Sequence, residues 1–215
     1  MRFTKKNLIL FLSSLLFINF SCAKLYYISQ GFKSPYFETE QSLHAFMVKD
    51  SIDSNMAYIA KDSSSFFKIL SIHDNLGKIL TFNKEGYLLQ FVEKKTCPGP
   101  VENYLNGICN RTAITIDSTI PMRKVLNLLK PLSVSNTTQI NKSADLTIII
   151  FWAVNYSKHN EDLHKWYAAI KKQKKDCTIN VLFLNCDYPA DYFGYTKRTK
   201  ASTSYEASFP SKEEH

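Results

Sequence analysis

Glycine is scarce in this chain, with six residues in 215, which excludes collagen-like repeats and glycine-rich linkers. No Cys-x-x-Cys occurs anywhere and the histidines are scattered, so no metal site has ligands at a usable spacing. No Ser-His-Asp set, paired carboxylates or phosphate-binding glycine loop can be picked out. The sequence therefore names no catalytic residue, no cofactor and no metal ligand, and it leans away from an enzyme. No motif interleaves aromatic and basic residues in the manner of a nucleic-acid binder. General disorder is excluded too, because hydrophobic residues make up 45% of the chain and charged residues 21%.

The first twenty residues read as a targeting segment. Arg2, Lys5 and Lys6 precede an apolar run from Leu8 to Phe20, broken only by Ser13, Ser14 and Asn19. That run is too short for a membrane-spanning helix and right for the core of a signal peptide, here residues 1–21. Three exits are open. Ser21-Cys22 resembles the end of a bacterial lipobox, in which the cysteine is lipidated and becomes the first residue of the mature chain. Asn19 departs from the aliphatic residue usual three positions before that cysteine. Ser21-x-Ala23 is a small-x-small site for ordinary signal peptidase, which would leave a secreted or periplasmic soluble protein. The third exit is an uncleaved signal anchor. The expectation taken forward is export to the bacterial cell envelope, with a lipid anchor on Cys22 and an unidentified protein partner.

Removing Arg2, Lys5 and Lys6 from the 27 basic residues leaves 24 against 19 acidic ones, so the net charge drops from +8 to +5. Such an excess suits an anionic surface and gives no reason to invoke nucleic acid. An exported compartment permits disulfides among Cys97, Cys109, Cys177 and Cys186. Cys177 and Cys186 bracket "TINVLFLN", a run that reads as one buried strand. Nine steps of strand separate their Cα atoms by roughly 30 Å, and a disulfide tolerates only about 7 Å, so these two are not expected to pair. Cys97 and Cys109 enclose "PGPVENYLNGI" and are the candidate bridge. The alternative is that all four are small buried hydrophobes.

Along the chain, residues 22–55 form a lead-in and a first helix over 38–48, with Leu43, Phe46 and Met47 on one face. Residues 56–132 form a strand, hairpin and helix block. In it, "MAYIA" is a strand and Asp62 caps a helix holding Phe66, Phe67, Ile69 and Leu70. "KILTF" and "YLLQFV" form a hairpin around the turn "NKEG". A short helix over 101–108 and a strand "TAITI" follow, and then Pro121 opens a helix carrying Val125, Leu126, Leu128 and Leu129. Residues 133–143 are a polar loop, and 195–215 read as a mobile polar tail.

The segment 144–194 is the most informative. Leu146 to Ala153 is almost continuously apolar, the mark of a strand buried on both faces. The next helix carries Leu163, Trp166, Tyr167 and Ile170 at i, i+3, i+4, i+7, a single stripe. Glu161 and Asp162 in its first turn and Lys171, Lys172, Lys174 and Lys175 at its end complement the helix dipole. A second apolar strand, 178–185, completes a parallel strand–helix–strand unit.

Phe151-Trp152-Ala153 followed by a turn, a helix and "VLFLNCDYP" resembles the first half of a thioredoxin-like domain, over about residues 145–189. The resemblance implies an α/β fold, a sheet with helices on both faces. In that family the tripeptide leads into Cys-x-x-Cys at a helix N-terminus, where the dipole activates a thiol. Counted from Phe151, the two thiol positions fall on Tyr156 and His159, so the redox chemistry does not carry over. The hairpin and helix that close the family's sheet do not follow Pro189. A similar block lies upstream instead, at 56–108, but without the proline that normally precedes its first hairpin strand. Either one sheet is built in permuted order or the upstream block makes a second sheet. The competing reading is a thiol-disulfide enzyme that uses displaced cysteines such as Cys97, Cys109 or Cys186.

Two further features read as ordinary. His159 and His164 are five residues apart, about 140° around a helix, too far for ligands on one face. Tyr156-Ser157-Lys158 lies where backbone N–H groups could meet an anion, but Ser157 or Asn160 serves equally well there as an N-cap.

Overall fold

The computed structural model describes residues 35–76, 79–91, 114–133, 140–141, 143–156, 158–173 and 177–201. Tyr36–Glu38 form a short strand, β1, and Glu40–Lys49 form helix α1. Thr39 starts α1 with a reciprocal cap. Its hydroxyl accepts the Ser42 N–H at 3.2 Å, while the Ser42 hydroxyl oxygen accepts the Thr39 N–H at 2.9 Å. The helix thus begins two residues later than its apolar spacing predicts, because Glu38 belongs to the strand. Strand β2 is Ala57–Ala60 and helix α2 is Ser63–Leu76. Asp62 caps α2 as expected, accepting the Ser65 N–H at 2.7 Å.

Strands β3 (Ile79–Asn83) and β4 (Leu88–Phe91) form the expected hairpin, and Gly86 takes the left-handed conformation in its turn at φ 82°. Strand β5 is Ile114–Asp117, helix α3 is Met122–Leu126 and strand β6 is Leu129–Pro131. Here the apolar spacing misleads. Leu128 and Leu129 continue the helical pattern of Val125 and Leu126, yet the chain turns at Asn127 and Leu129 enters a strand beside β2. Strand β7 (Leu146–Trp152), helix α4 (Lys158–Gln173) and strand β8 (Ile179–Asn185) follow the predicted order. Two-residue strands β9 (Tyr188–Pro189) and β10 (Thr199–Lys200) come last.

The upstream and downstream blocks share one seven-stranded mixed sheet, in the order β5-β4-β3-β7-β8-β2-β6. Strand β7 lies in the middle, parallel to β8 and antiparallel to β3. All seven of its residues are buried, and the period of two explains how. Leu146, Ile148, Ile150 and Trp152 pack with Leu43 and Met47 of α1 and Leu163 and Ile170 of α4. Ile149 and Phe151 face the other way, against Phe66 and Ile69 of α2 and Val125 of α3. The molecule is therefore an α/β protein with helices on both faces of the sheet. Each large apolar side chain placed in these two layers contributes about 1.5–3 kcal/mol.

A second sheet has three short strands in the order β10-β1-β9. It corrects the tail assignment at its start, where Thr199 and Lys200 pair antiparallel with Phe37 and Tyr36, while residues 202–215 lie outside the described residues. The polar composition of this stretch hid the pairing, because its partner strand lies far back in the sequence. Of the helical stripe on α4, Leu163 and Ile170 are buried, while Trp166 and Tyr167 are only partly covered.

Candidate functional site

The carboxyl ends of β7 and β8 lie side by side, with Trp152 paired to Asn185 and the Cys186 N–H donating to the Trp152 carbonyl at 2.8 Å. Parallel strand ends of this kind are where α/β proteins place their sites. The chain leaves β7 through a 3-10 turn, Val154–Tyr156, and enters α4. The turn is closed by the Tyr156 N–H, which donates to the Ala153 carbonyl at 3.1 Å. Tyr156 thus stands at the end of the turn and His159 in the first turn of α4, which brings the two positions counted from Phe151 to the head of the helix.

Two buried side chains hold this turn from below. Asn160, in the first turn of α4, donates its Nδ2 to the Ala153 carbonyl at 2.8 Å. Asp187, just beyond β8, accepts the Val154 N–H at 2.7 Å and the Asn185 Nδ2–H at 2.7 Å. A further backbone bond from Asn155 reaches the same carboxyl group. Burial is the main reason the Asp187 carboxyl is pushed up to about 7 from 3.8; the bonds from Val154, Asn185 and Asn155 pull it down, and the charge of Glu38 pushes it up.

Glu38, on β1, is itself buried. Its carboxylate takes a two-pronged bond from Arg198, with Nε and Nη2 each at 2.8 Å, and a third bond from the Ser42 hydroxyl at 2.6 Å. Arg198 also stacks on the Tyr36 ring, 3.9 Å from its centroid. Among the described residues, the buried Trp152 Nε1 and Asn160 Oδ1 have no hydrogen-bond partner.

Neither described cysteine occupies the turn before α4. Cys177 is disulfide-bonded, and Cys186 is a buried thiol that donates to the Leu184 carbonyl at 3.9 Å. The two are not bonded to each other, consistent with the strand between them. Cys22, Cys97 and Cys109 lie outside the described residues, and with them the lipid attachment and the Cys97–Cys109 bridge. Among the described residues no group of three or more His, Cys, Asp and Glu side chains could hold a metal ion, and no helix is long and apolar enough to cross a membrane.

Sequence reasoning missed Glu38, Arg198 and Asp187. The signal for Asp187 was present, an acid two residues past the end of a largely apolar strand. Nothing local marks the other two. No protein-family model, curated protein or solved structure matches the chain.

Proposed function

We propose that this is an exported bacterial envelope protein, lipid-anchored through Cys22, whose domain is a redox-inactive thioredoxin-like module of permuted order that binds a protein partner or serves a structural role. The reading rests on one observation. The turn between β7 and α4, where a Cys-x-x-Cys would act, carries Tyr156 instead and is fastened by Asn160 and Asp187. The sheet supports the permutation. The hairpin β3–β4 comes earlier in the chain but joins β7 on the side opposite β8, which supplies the hairpin missing after β8. The envelope location and the anchor rest on the signal segment and the lipobox-like Ser21-Cys22 alone.

Two measurements test this reading. The intact chain should fail to reduce insulin with dithiothreitol as electron source, and Cys97→Ser or Cys109→Ser should change nothing. Turnover that depends on either cysteine would replace the proposal with the displaced-thiol enzyme. Cys22→Ser should abolish palmitate labelling and either leave the precursor uncleaved or release the protein from membranes. A wild-type chain that matures normally without an acyl label would remove the anchor.

A further inference from the structure

The three-stranded sheet brings two buried carboxyl groups to one cation. Glu38 is 2% exposed and Asp187 3% exposed. Arg198 directs both its bonding nitrogens to Glu38, so that pair is matched charge for charge. Asp187 is bonded by neutral donors, the amides of Val154 and Asn155 and the side chain of Asn185. Asp187 immediately precedes β9, whose Tyr188 and Pro189 lie opposite Phe37 and Glu38 of β1, so the two carboxyl-bearing residues stand on neighbouring strands.

Arg198 is the cation bonded in this cluster. From β1 come Glu38 and Tyr36, and from the stretch before β10 comes Arg198. Helix α1 contributes the Ser42 hydroxyl, β8 the Asn185 amide and the turn after β7 its backbone N–H groups. The contacts at stake hold different parts of the fold. Asp187 ties the end of β8 to the turn before α4. Glu38 and Arg198, 160 residues apart, clasp β10 to β1, where only two residue pairs are in register.

The geometry points to a proton-operated switch at Asp187 that trades order between the turn 154–156 and the Glu38–Arg198 clasp. With a proton taken from water, Asp187 is neutral and leaves Arg198 wholly to Glu38, so the clasp is firm. Its bonds to the turn then lose their charge assistance, and bonds to a charged acceptor are roughly twice as strong as neutral ones. When the proton returns to water, the carboxylate grips the Val154 and Asn155 amides. It also places a second negative charge beside Glu38 and competes for the one guanidinium, which loosens β10. Burial sets the changeover near neutrality, at about 7.

Hydrogen exchange of the intact chain, followed by mass spectrometry at pH 5.5 and 8.5 and corrected for the intrinsic pH dependence of exchange, tests this directly. Segment 196–201 should be about tenfold better protected at the lower pH and segment 154–156 about tenfold better protected at the higher, the scale of one charge-assisted bond. Asp187→Asn should remove both differences. Glu38→Gln should move the midpoint down by about one pH unit, because it removes a like charge and releases Arg198. Should Asp187→Asn not fold, the side-chain carboxyl carbon of Asp187 in the wild-type chain, titrated by NMR, decides the matter, with a midpoint near 7 expected. The switch is overturned if the two segments respond in the same direction, if the response survives in Asp187→Asn, or if that carbon reports an ionised group from pH 5 to 9.

Discussion

Replacing Trp152 by alanine and by phenylalanine separates two properties of its indole. The ring is fully buried at the end of β7, stacked on Phe46 with centroids 5.5 Å apart and planes 10° apart. Truncating a buried aromatic to alanine costs about 3–5 kcal/mol, and losing a stacked partner places the cost towards the upper end of that range. Against this stands the Nε1–H, which is buried without an acceptor among the described residues. An unmet donor of this kind costs about 1–3 kcal/mol, and any substitution that removes the indole removes that cost. The net expectation for Trp152→Ala is a loss of about 3 kcal/mol. Trp152→Phe keeps the stack and most of the apolar contact while deleting the unmet donor, so its loss should stay below about 1 kcal/mol. For a domain of this size each kcal/mol moves Tm by about 2–4 °C. Alanine should therefore lower Tm by roughly 6–12 °C and phenylalanine by less than about 4 °C. Urea and thermal unfolding followed by circular dichroism measure both, and Trp166 remains as a fluorescent reporter. A phenylalanine variant as unstable as the alanine one would show that the indole N–H is bonded in the native state. An alanine variant that melts like wild type would show that β7 is not the buried centre of the sheet. Trp166→Ala, with its side chain only partly covered, should cost clearly less than Trp152→Ala, about 1–2 kcal/mol.

Alkylation of the native protein should leave Cys186 slow to react because it is buried, and Cys177 unreactive until reduction because it is disulfide-bonded; mass spectrometry before and after reduction checks both, and rapid native labelling of Cys186 would place the end of β8 at the surface. Thr39→Ala removes half of the reciprocal cap on α1 and should cost about 1 kcal/mol in urea unfolding, with Thr39→Ser largely restoring stability. Asp187 holds its proton more tightly in the folded chain, at about 7, than at the ordinary value of 3.8. Its contribution to stability is therefore complete below about pH 4 and is lost as the pH rises through about 7. The stability of wild type relative to Asp187→Asn should fall by on the order of 4 kcal/mol across that range, and a difference that stays constant with pH would contradict the burial of this carboxyl group.

The elements legible in the sequence are those whose burial repeats with a local period. Strand β7 is apolar at six of its seven positions, all but Thr147, because helices cover both sides of it. Strand β8 is apolar at five of its seven positions, all but Asn180 and Asn185, for the same reason, and α4 carries a stripe because it has one covered face. The cap at Asp62 and the turn at Gly86 were legible because each satisfies a need within a few residues, a backbone N–H in one case and a left-handed φ in the other. At α3 the local pattern failed. Leu128 and Leu129 fit a helix as well as they fit a turn and a strand, and what chose between them was β2, nearly seventy residues back, whose Ala60 pairs with Leu129.

Long-range pairing also explains why the candidate site was half visible. Tyr156 and His159 could be placed by counting from Phe151, since a strand, a turn and a helix start are consecutive in the chain. Glu38 and Arg198 could not, because an acid before a helix and an arginine in a polar stretch both read as solvated residues. What buries Glu38 is the lodging of β1 between β9 and β10, and each of those strands pairs with β1 at only two positions. Strands of that length have no periodicity to read. Their stability has to come from side chains, and the ones that supply it here are Arg198, clamped on Glu38, and the rings of Tyr188, Phe193 and Tyr195 around Phe37, with centroids 5.7, 5.2 and 4.4 Å away. A buried ion pair is costly to break from one side, since either partner left alone is an uncompensated charge away from water. The small sheet is therefore held by a few contacts of high individual cost, whereas the large sheet is held by many of low cost. That difference makes the small sheet the part of the fold on which a single proton at Asp187 can act.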